Sequence, residues 1–480
     1  MRRVSRGEFL RYGGGTVGGA FLASFGVPGL ALARGAGSGR WSEAGRILGR
    51  VGPPRFPNRD FVITDYGAVG DGKTDCTEAF RAAIDDCSSA GGGRVIVPAG
   101  SFLTGAIHLK SNVNLHVTRD ATVKFSQDPG DYLPVVYTRW QGIELMNYSP
   151  FIYAFEQENV AVTGSGVLDG QADDEHWWPW KGKTEYGWKP GEPNQEADWD
   201  LLQRMADEGV PVRQRVFGSG HYLRPNFIQP YRCRNVLIEG VKILRSPMWE
   251  VHPVLSSNVT VRRIRVDSHG PNNDGCDPES CDYVLIDGCV FDTGDDCIAI
   301  KAGRNADGRR VNVPCQNVVI QHCHMRDGHG GVTIGSEMTG GVRSVFARNN
   351  RLSSPNLQIA LRMKTNSVRG GFIENVNMKN CTVGQVSDSV FKIDFFYGEG
   401  AGGSYDPTVH DIDVRNVTAH ESGDYALDLV GYGDDPIENV TLENCVFENA
   451  KEPYDIENAQ VTLRNVTIDG KRYRRKVFSV

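Results

Sequence analysis

A short phrase, Asn-Val-x-Ile/Val-x-x-Val/Cys, returns along the chain every 21 to 36 residues, with no helical spacing of apolar residues in its copies. It reads N-V-L-I-E-G-V from Asn235, N-V-T-V-R-R-I from Asn258, Y-V-L-I-D-G-C from Tyr283 and N-V-V-I-Q-H-C from Asn317, with weaker copies at Ser344, Asn375, Asp411, Asn439 and Gln460. Taken at the second residue of each copy (236, 259, 284, 318, 345, 376, 412, 440, 461), the steps are 23, 25, 34, 27, 31, 36, 28 and 21 residues. Each copy alternates apolar and polar residues over a β-branched run and is broken by Gly, Asn, Asp or Ser, the pattern of a short strand and a turn. One such strand cannot bury its apolar face alone. Stacking each unit on the last buries all of them, so the expected fold is all-β, a single-stranded parallel β-helix. A sandwich or propeller is the alternative, but propeller blades need roughly 40 residues each.

Composition agrees with a turn-rich solenoid. The 57 glycines follow no third-position period, which excludes collagen and implies frequent tight turns. With 52 Lys and Arg against 59 Asp and Glu, the net charge of -7 argues against a nucleic-acid partner. Beyond the N-terminus no apolar run approaches the length of a membrane span.

Residues 1–33 read as an export signal: Arg2, Arg3, Arg6 and Arg11 precede a weakly apolar, Gly-rich stretch that closes on Ala31-Leu32-Ala33. The stretch 5–11 is twin-arginine-like, with Gly7 where the second arginine belongs. The expectation is an exported bacterial monomer, periplasmic or extracellular, off the membrane once the signal is cleaved. Residues 34–55 read as flexible linker and 56–480 as one β-helix domain.

Eleven cysteines suit an exported chain, but the odd count leaves one unpaired and none forms a CxxC pair. Zinc is therefore not expected, and several cysteines fall at repeat positions as core residues or occasional disulfides. One helix is expected over 75–88, with Asp75 and Glu78 as a capping box and Phe80, Ala83, Ile84 and Cys87 on one apolar face. It would plug the open end of the coil. Residues 170–222 interrupt the repeats and hold Trp177, Trp178, Trp180, Trp188 and Trp199, which either stack on sugars or pack the insertion against the barrel.

The chemistry falls in one phase of the repeat. Asp274 lies fifteen residues beyond Val259, Asp295 and Asp296 eleven and twelve beyond Val284, His329 eleven beyond Val318, and Arg362 and Lys364 seventeen and nineteen beyond Val345. Coils stack about 4.8 Å apart, so these residues should meet on one face. Three neighbouring carboxylates cannot all ionise freely, and one protonated acid beside one carboxylate is what glycoside hydrolysis requires. Two coils plus a lateral offset would reach the roughly 6.5 to 9.5 Å separation that implies inversion. Because adjacent strand residues face opposite ways, Asp295 and Asp296 can both serve only if the chain turns or bulges beside Gly294.

These residues resemble the polygalacturonases of glycoside hydrolase family 28. The family motifs N-T-D, D-D, G-H-G and R-I-K match N-N-D at 272–274, D-D at 295–296, G-H-G at 328–330 and R-M-K at 362–364, with Asn273 and Met363 as the departures. D-Y-G-A-V-G-D-G-K-T-D from Asp65, the stretch from Val97 and S-P-M-W-E-V-H-P from Ser246 extend the likeness over roughly residues 60 to 400. The resemblance implies a right-handed, pectin-lyase-like β-helix that hydrolyses α-1,4-galacturonosyl bonds of pectic polysaccharide or oligogalacturonides with inversion and without cofactor or metal. It implies Asp295 as general acid, Asp274 and Asp296 as the carboxylates that activate water, and His329 as support for the acid. It also implies Arg362 and Lys364 as the receptor for a galacturonate carboxylate, with Tyr397 and Asn272 lining subsites.

His252, with Trp249, is either a sugar contact or packed core. The insertion or a loop near Trp140 would make the enzyme exo-acting by walling one end of the groove, and Glu337 and the segment at Arg139 resemble exported bacterial exo-type members. Two rival readings share the fold: a calcium-dependent pectate lyase and a non-catalytic carbohydrate-binding β-helix. The Asn-Val-Thr triplets at Asn258, Asn416, Asn439 and Asn465 read as repeat turns rather than glycosylation sites.

Overall fold

The computed structural model describes residues 39–479. The export signal at 1–33 lies outside the described residues. Strands dominate, and almost all pair in parallel with the equivalent strand of the next coil.

The repeat phrase is the register of the fold. Val236 pairs with Val259, Val259 with Val284, Val284 with Val318, Val318 with Val345 and Val345 with Val376, and the ladder continues through Ile412, Val440 and Val461. All nine side chains point into one core. Two earlier copies, at Asn112-Val113 and Asn159-Val160, continue the same ladder, with Leu115 beside Val162 and Val160 beside Val236. Their steps are stretched by inserted segments, which hid them from a search for a period in the twenties.

Before eight of these nine ladder positions, all but Val461, the preceding residue turns the chain. Asn235, Asn258, Tyr283, Asn317, Ser344, Asn375, Asp411 and Asn439 all have φ between +50° and +60°. Asparagine tolerates this left-handed conformation and bonds to itself across coils. Asn235 Nδ2 donates to Asn159 Oδ1 at 2.8 Å and Asn258 Nδ2 donates to Asn235 Oδ1 at 2.6 Å. Asn416 and Asn465, at +51° and +52°, are turn residues too. Asn235→Val should lose these bonds and strain a β-branched residue in the left-handed region, at about 1–3 kcal/mol in denaturant titration. Asn235→Gly, free of the strain, should lose less; equal losses would assign the whole effect to the ladder.

The expected linker is a helix from residue 39. In α1 (Gly39–Arg50), Ala44 and Ile47 are buried against Val319 and Phe346 on the outside of the coil. Three glycines in this segment depress helix propensity, and burial of its apolar stripe offsets them. The plug helix α2 (Thr77–Ser89) buries Ala79, Phe80, Ala83, Ile84 and Cys87 as expected. It begins two residues late, and the capping box does not form. Asp75 Oδ1 instead accepts from the backbone N–H of Thr77 at 2.9 Å, while Glu78 pairs with Arg81.

All eleven cysteines are free and buried. Burial pushes the Cys281 thiol up to about 12, so it behaves as an inert core residue. The other end of the coil closes with an antiparallel hairpin, Ala459–Ile468 with Lys471–Phe478, whose last strand carries Lys471, Arg472, Arg474, Arg475 and Lys476. Edge charge of this kind disfavours pairing with another sheet.

The insertion folds against the barrel. Trp177 sits in the core beside Phe151 and Tyr132, with Trp178 and Trp180 packed on its rim. In α3 (Glu196–Asp207), Trp199 and Leu202 pack with Trp140 of an antiparallel hairpin, Val136–Trp140 with Ile143–Asn147, and the helix touches α4 (Asn305–Val311). These tryptophans are packing residues.

Candidate active site

A six-stranded parallel sheet, running through Ile298–Ile300, Gly328–Gly335, Leu357–Lys364 and Ser389–Asp394, carries the expected cluster on one face. Asp295 and Asp296 precede its first strand, His329 begins the second, Arg362 and Lys364 end the third, and Tyr397 follows the fourth. The chain bends at 294–297, so both carboxylates reach the site. Glycine is needed there for close approach: a Cβ on Gly294 would come within 2.6 Å of Gly270 O, and one on Gly275 within 2.4 Å of the Phe291 ring. Gly330 has the same role at the centre, since a Cβ would lie 2.8 Å from Asp296 Oδ1 and 3.4 Å from Arg362 Cδ.

Carboxylate oxygens of Asp274, Asp295 and Asp296 all lie within 4.8 Å of one another. This is tighter than the separation expected for inversion, because the bend at Gly294 folds two carboxylates of one coil onto that of the coil before it. Distance therefore does not carry the stereochemical argument.

Each carboxylate has its own surroundings. Asp296 is fully buried, receiving Lys364 Nζ at 2.7 Å and Thr333 Oγ1 at 3.1 Å, with Arg362 Nη1 at 3.7 Å. Asp295 faces the cleft and pairs its Oδ1 with His329 Nδ1 at 2.9 Å. The His329 side chain is 45% exposed and that of Asp295 16%, so this is the most exposed pair of the cluster. Asp274 is buried with Lys301 Nζ at 3.8 Å from Oδ2, and its Oδ1 has no hydrogen-bond partner.

The electrostatics divide the carboxylates. Burial, reinforced by Asp295 and Asp277, pushes Asp274 well above the usual carboxylate range. Burial also opposes ionisation of Asp295, but the hydrogen bond and charge of His329, with Lys364 and Lys301, hold it below that range. The same hydrogen bond raises His329 above an ordinary imidazole. In the free site, protons therefore rest on Asp274 and His329 rather than on Asp295.

The cleft over this cluster encloses about 330 Å³. Asn272, Asp274, Asp295, Lys364 and Tyr397 line it as expected, together with Trp249, Lys301, Arg304, Glu337 and Glu399. Tyr397 places its ring 5.4 Å from Arg362 Cζ and 5.1 Å from Lys364 Nζ. His252 is not part of this surface. It is fully buried, bonded through Nε2 to Glu279 at 2.7 Å and through Nδ1 to Asn226 and Gln229 at 3.0 Å. Its position in the repeat is right, but its ring turns inward beneath Trp249, which alone of the two reaches the cleft.

Lys301 was legible only as the last letter of G-D-D-C-I-A-I-K. It is buried between Asp274, Asp277 at 3.7 Å and Glu337 at 3.1 Å, over the Trp249 ring at 4.4 Å. Lys181 and Arg224 also reach the site, donating to Asn272 Oδ1 at 3.1 and 2.9 Å. They belong to or follow the insertion, which has no repeat phase to reveal them. The three aspartates are spaced as a cation site would be, yet Lys364 and Lys301 already bring positive charge to the oxygens a divalent ion would need.

The model of the family described as "Glycosyl hydrolases family 28" matches residues 218–466, and one described as "Rhamnogalacturonase A/epimerase, pectate lyase-like" matches 61–116. A probable polygalacturonase of Vitis vinifera is 30% identical over 405 residues, 81% of this chain and 74% of the relative. An exo-poly-alpha-D-galacturonosidase of Dickeya chrysanthemi is 26% identical over 461 residues, 85% of this chain and 74% of the relative. The crystal structure of a hyperthermoactive exopolygalacturonase from Thermotoga maritima superposes with a TM-score of 0.89 at 51% identity, covering 92% of this chain and 98% of that one. The family match spans every motif that builds the cluster, so the chain belongs to glycosyl hydrolases family 28 and is a β-helical enzyme that hydrolyses glycosidic bonds.

Proposed function

We propose that the enzyme removes terminal galacturonate from polygalacturonate or oligogalacturonides by hydrolysis with inversion. The observation that carries the acidic substrate is the placement of Arg362 and Lys364 beside the reacting carboxylates, a bidentate donor and an ammonium suited to a sugar carboxylate. Asp295 donates to the leaving oxygen, and Asp274, whose Oδ1 is buried without a partner, accepts the proton of the attacking water together with Asp296.

The resting protons stand against this assignment until substrate binds. A sugar carboxylate on Lys364 and Arg362 cancels part of the charge that holds Asp295 down. Asp295 then takes up the proton of the adjacent Asp274, which is left ionised to act as base, while His329 keeps its own. The proton on the His329–Asp295 pair is available below the raised value of His329 and is lost as pH rises through it, so the alkaline limb of kcat/KM belongs to that pair.

Exo action is supported by the walls of the cleft. Gln141 projects from the hairpin tip, Arg304 stacks on Trp199 with its Cζ 4.8 Å from the ring, and Glu399 pairs with Arg304 at 3.0 Å and with Arg369 at 3.1 Å. The similar Thermotoga maritima protein is named an exopolygalacturonase. Early digestion of polygalacturonate should release monomer alone, with the anomeric configuration of the first product inverted by NMR. Mixed oligomers with a rapid fall in viscosity would overturn the exo reading; a retained anomer would overturn inversion; and an unsaturated product would replace hydrolysis by elimination. Export is proposed on the N-terminal signal pattern; among the described residues no helix is long and apolar enough to cross a membrane.

A further inference from the structure

The insertion brings a cation to the side of the catalytic carboxylates opposite Arg362 and Lys364. Asn272 lies in the coil before Asp295 and Asp296, whereas Arg362 and Lys364 lie two coils after them. Lys181, at the end of a short helical turn at Trp178–Lys181, bonds to Asn272 Oδ1 at 3.1 Å and is only partly exposed. Arg224 donates to the same oxygen at 2.9 Å from full burial, and its other partners are Gln195 and the carbonyls of Pro247 and Pro271. Among the described residues neither cation has a carboxylate within 4.0 Å. Every other lysine or arginine at the site, Lys301, Arg304, Arg362, Lys364 and Arg369, has one.

Two uncompensated cations converging on one amide oxygen, beside a cleft for a polyanion, leave a place for an anion. Burial, and then the charge of Arg224, depresses the Lys181 ammonium to about 8. A docked carboxylate would offset both effects. Arg224 is enclosed and cannot meet substrate, but it holds the Asn272 amide in place and adds to the local positive potential. Lys181 is the partly exposed member, bonded to Asn272, which lines the cleft.

We propose that Lys181 of the Trp-rich insertion binds the carboxylate of the sugar on the far side of the scissile bond from Arg362 and Lys364. This rests on the galacturonan reading above. In a galacturonate polymer both sugars flanking the cleaved bond carry a carboxylate, and each would have its own receptor: Arg362 and Lys364 for one, Lys181 for the other. The insertion would then confer specificity as well as form a wall.

The test is a pair of variants, Lys181→Met and Lys181→Arg, assayed on trigalacturonate and on trigalacturonates carrying a single methyl ester at each ring in turn. Lys181→Met should raise KM about tenfold on the free acid, with a smaller change in kcat. The penalty should shrink on the one isomer whose ester neutralises the carboxylate facing Lys181. Lys181→Arg should restore most of the affinity. An unchanged KM, or a penalty equal on all isomers, overturns the proposal. A fall in kcat alone at constant KM would also overturn it, by assigning Lys181 to positioning Asn272. Thermal melts check that both variants are folded, and binding of trigalacturonate to Asp295→Asn with and without Lys181→Met gives the same answer without turnover. If the unaltered enzyme cleaves no galacturonate oligomer, the substrate reading fails; trigalacturonate binding to Asp295→Asn that Lys181→Met weakens would still uphold the Lys181 site, and binding that Lys181→Met leaves unchanged, or no binding at all, would overturn it as well.

Discussion

Asp295→Asn should lower kcat on oligogalacturonides by about 10³-fold or more while leaving KM and the melting temperature nearly unchanged. The amide keeps the size of the side chain but cannot donate a carboxylic proton to the leaving oxygen. A substrate with a good leaving group, such as a nitrophenyl galacturonide, needs little protonation and should recover much of the loss. Asp274→Asn should instead lose comparable activity on both substrates, since activation of water is required whichever group departs. The comparison is pointed because the free site holds Asp295 low and Asp274 high. If the activated substrate rescues Asp274→Asn and not Asp295→Asn, the acid is Asp274 and the proton relocation proposed above does not occur. If neither variant loses activity, the cluster is a binding site.

Lys301→Met should be the most damaging single change to stability near the site, at about 3–5 kcal/mol. Lys301 is buried and faces Asp274, Asp277 and Glu337, and both Asp277 side-chain oxygens are buried without a hydrogen-bond partner. Removing the ammonium leaves the ionised Glu337 short of its main counter-charge where water cannot reach, while Asp274 and Asp277, which burial already pushes above the usual carboxylate range, lose the one cation that opposes that shift. Burial opposes ionisation of Glu337, yet Lys301, followed by Arg304 and Arg369, holds its carboxyl far below the usual range. A carboxyl held low in the folded state stabilises the fold above its unfolded value, and that contribution fades as pH falls. Without Lys301 much of it disappears, so the variant's deficit should be full above the ordinary carboxylate range and narrow only below it, as pH falls toward the depressed value of Glu337. Adding Glu337→Gln should recover part of the loss. A variant equally unstable at all pH values would mean that the lysine acts through packing on Trp249 alone.

Much of the fold was legible before any coordinates. The nine ladder positions chosen from the phrase are in register because a coil's inward residue must be apolar and the residue before it must accept a left-handed turn. Both requirements leave a local mark. The copies at Asn112 and Asn159 carry the same mark and were missed for lack of a regular period. α1 was missed because its glycines resemble a linker, although its apolar spacing is helical and its stability comes from the sheet it covers. The motif residues of the candidate site, from Asn272 to Lys364, converge as their phase implied. His252 shared that phase and does not join them.

The sequence by itself determined the solenoid, its register and which coils carry charged groups, because these follow from periodic burial and turn chemistry that recur every coil. The tertiary structure alone decided where a side chain goes once the chain leaves the strand. There the alternation of faces ends, so the bend at Gly294 could set three carboxylates within 4.8 Å, turn His252 inward and leave Trp249 at the cleft. It also decided the charges: Lys301, Lys364 and His329 set the protonation of the site through burial and distance, and neither quantity is encoded in the spacing of residues along the chain.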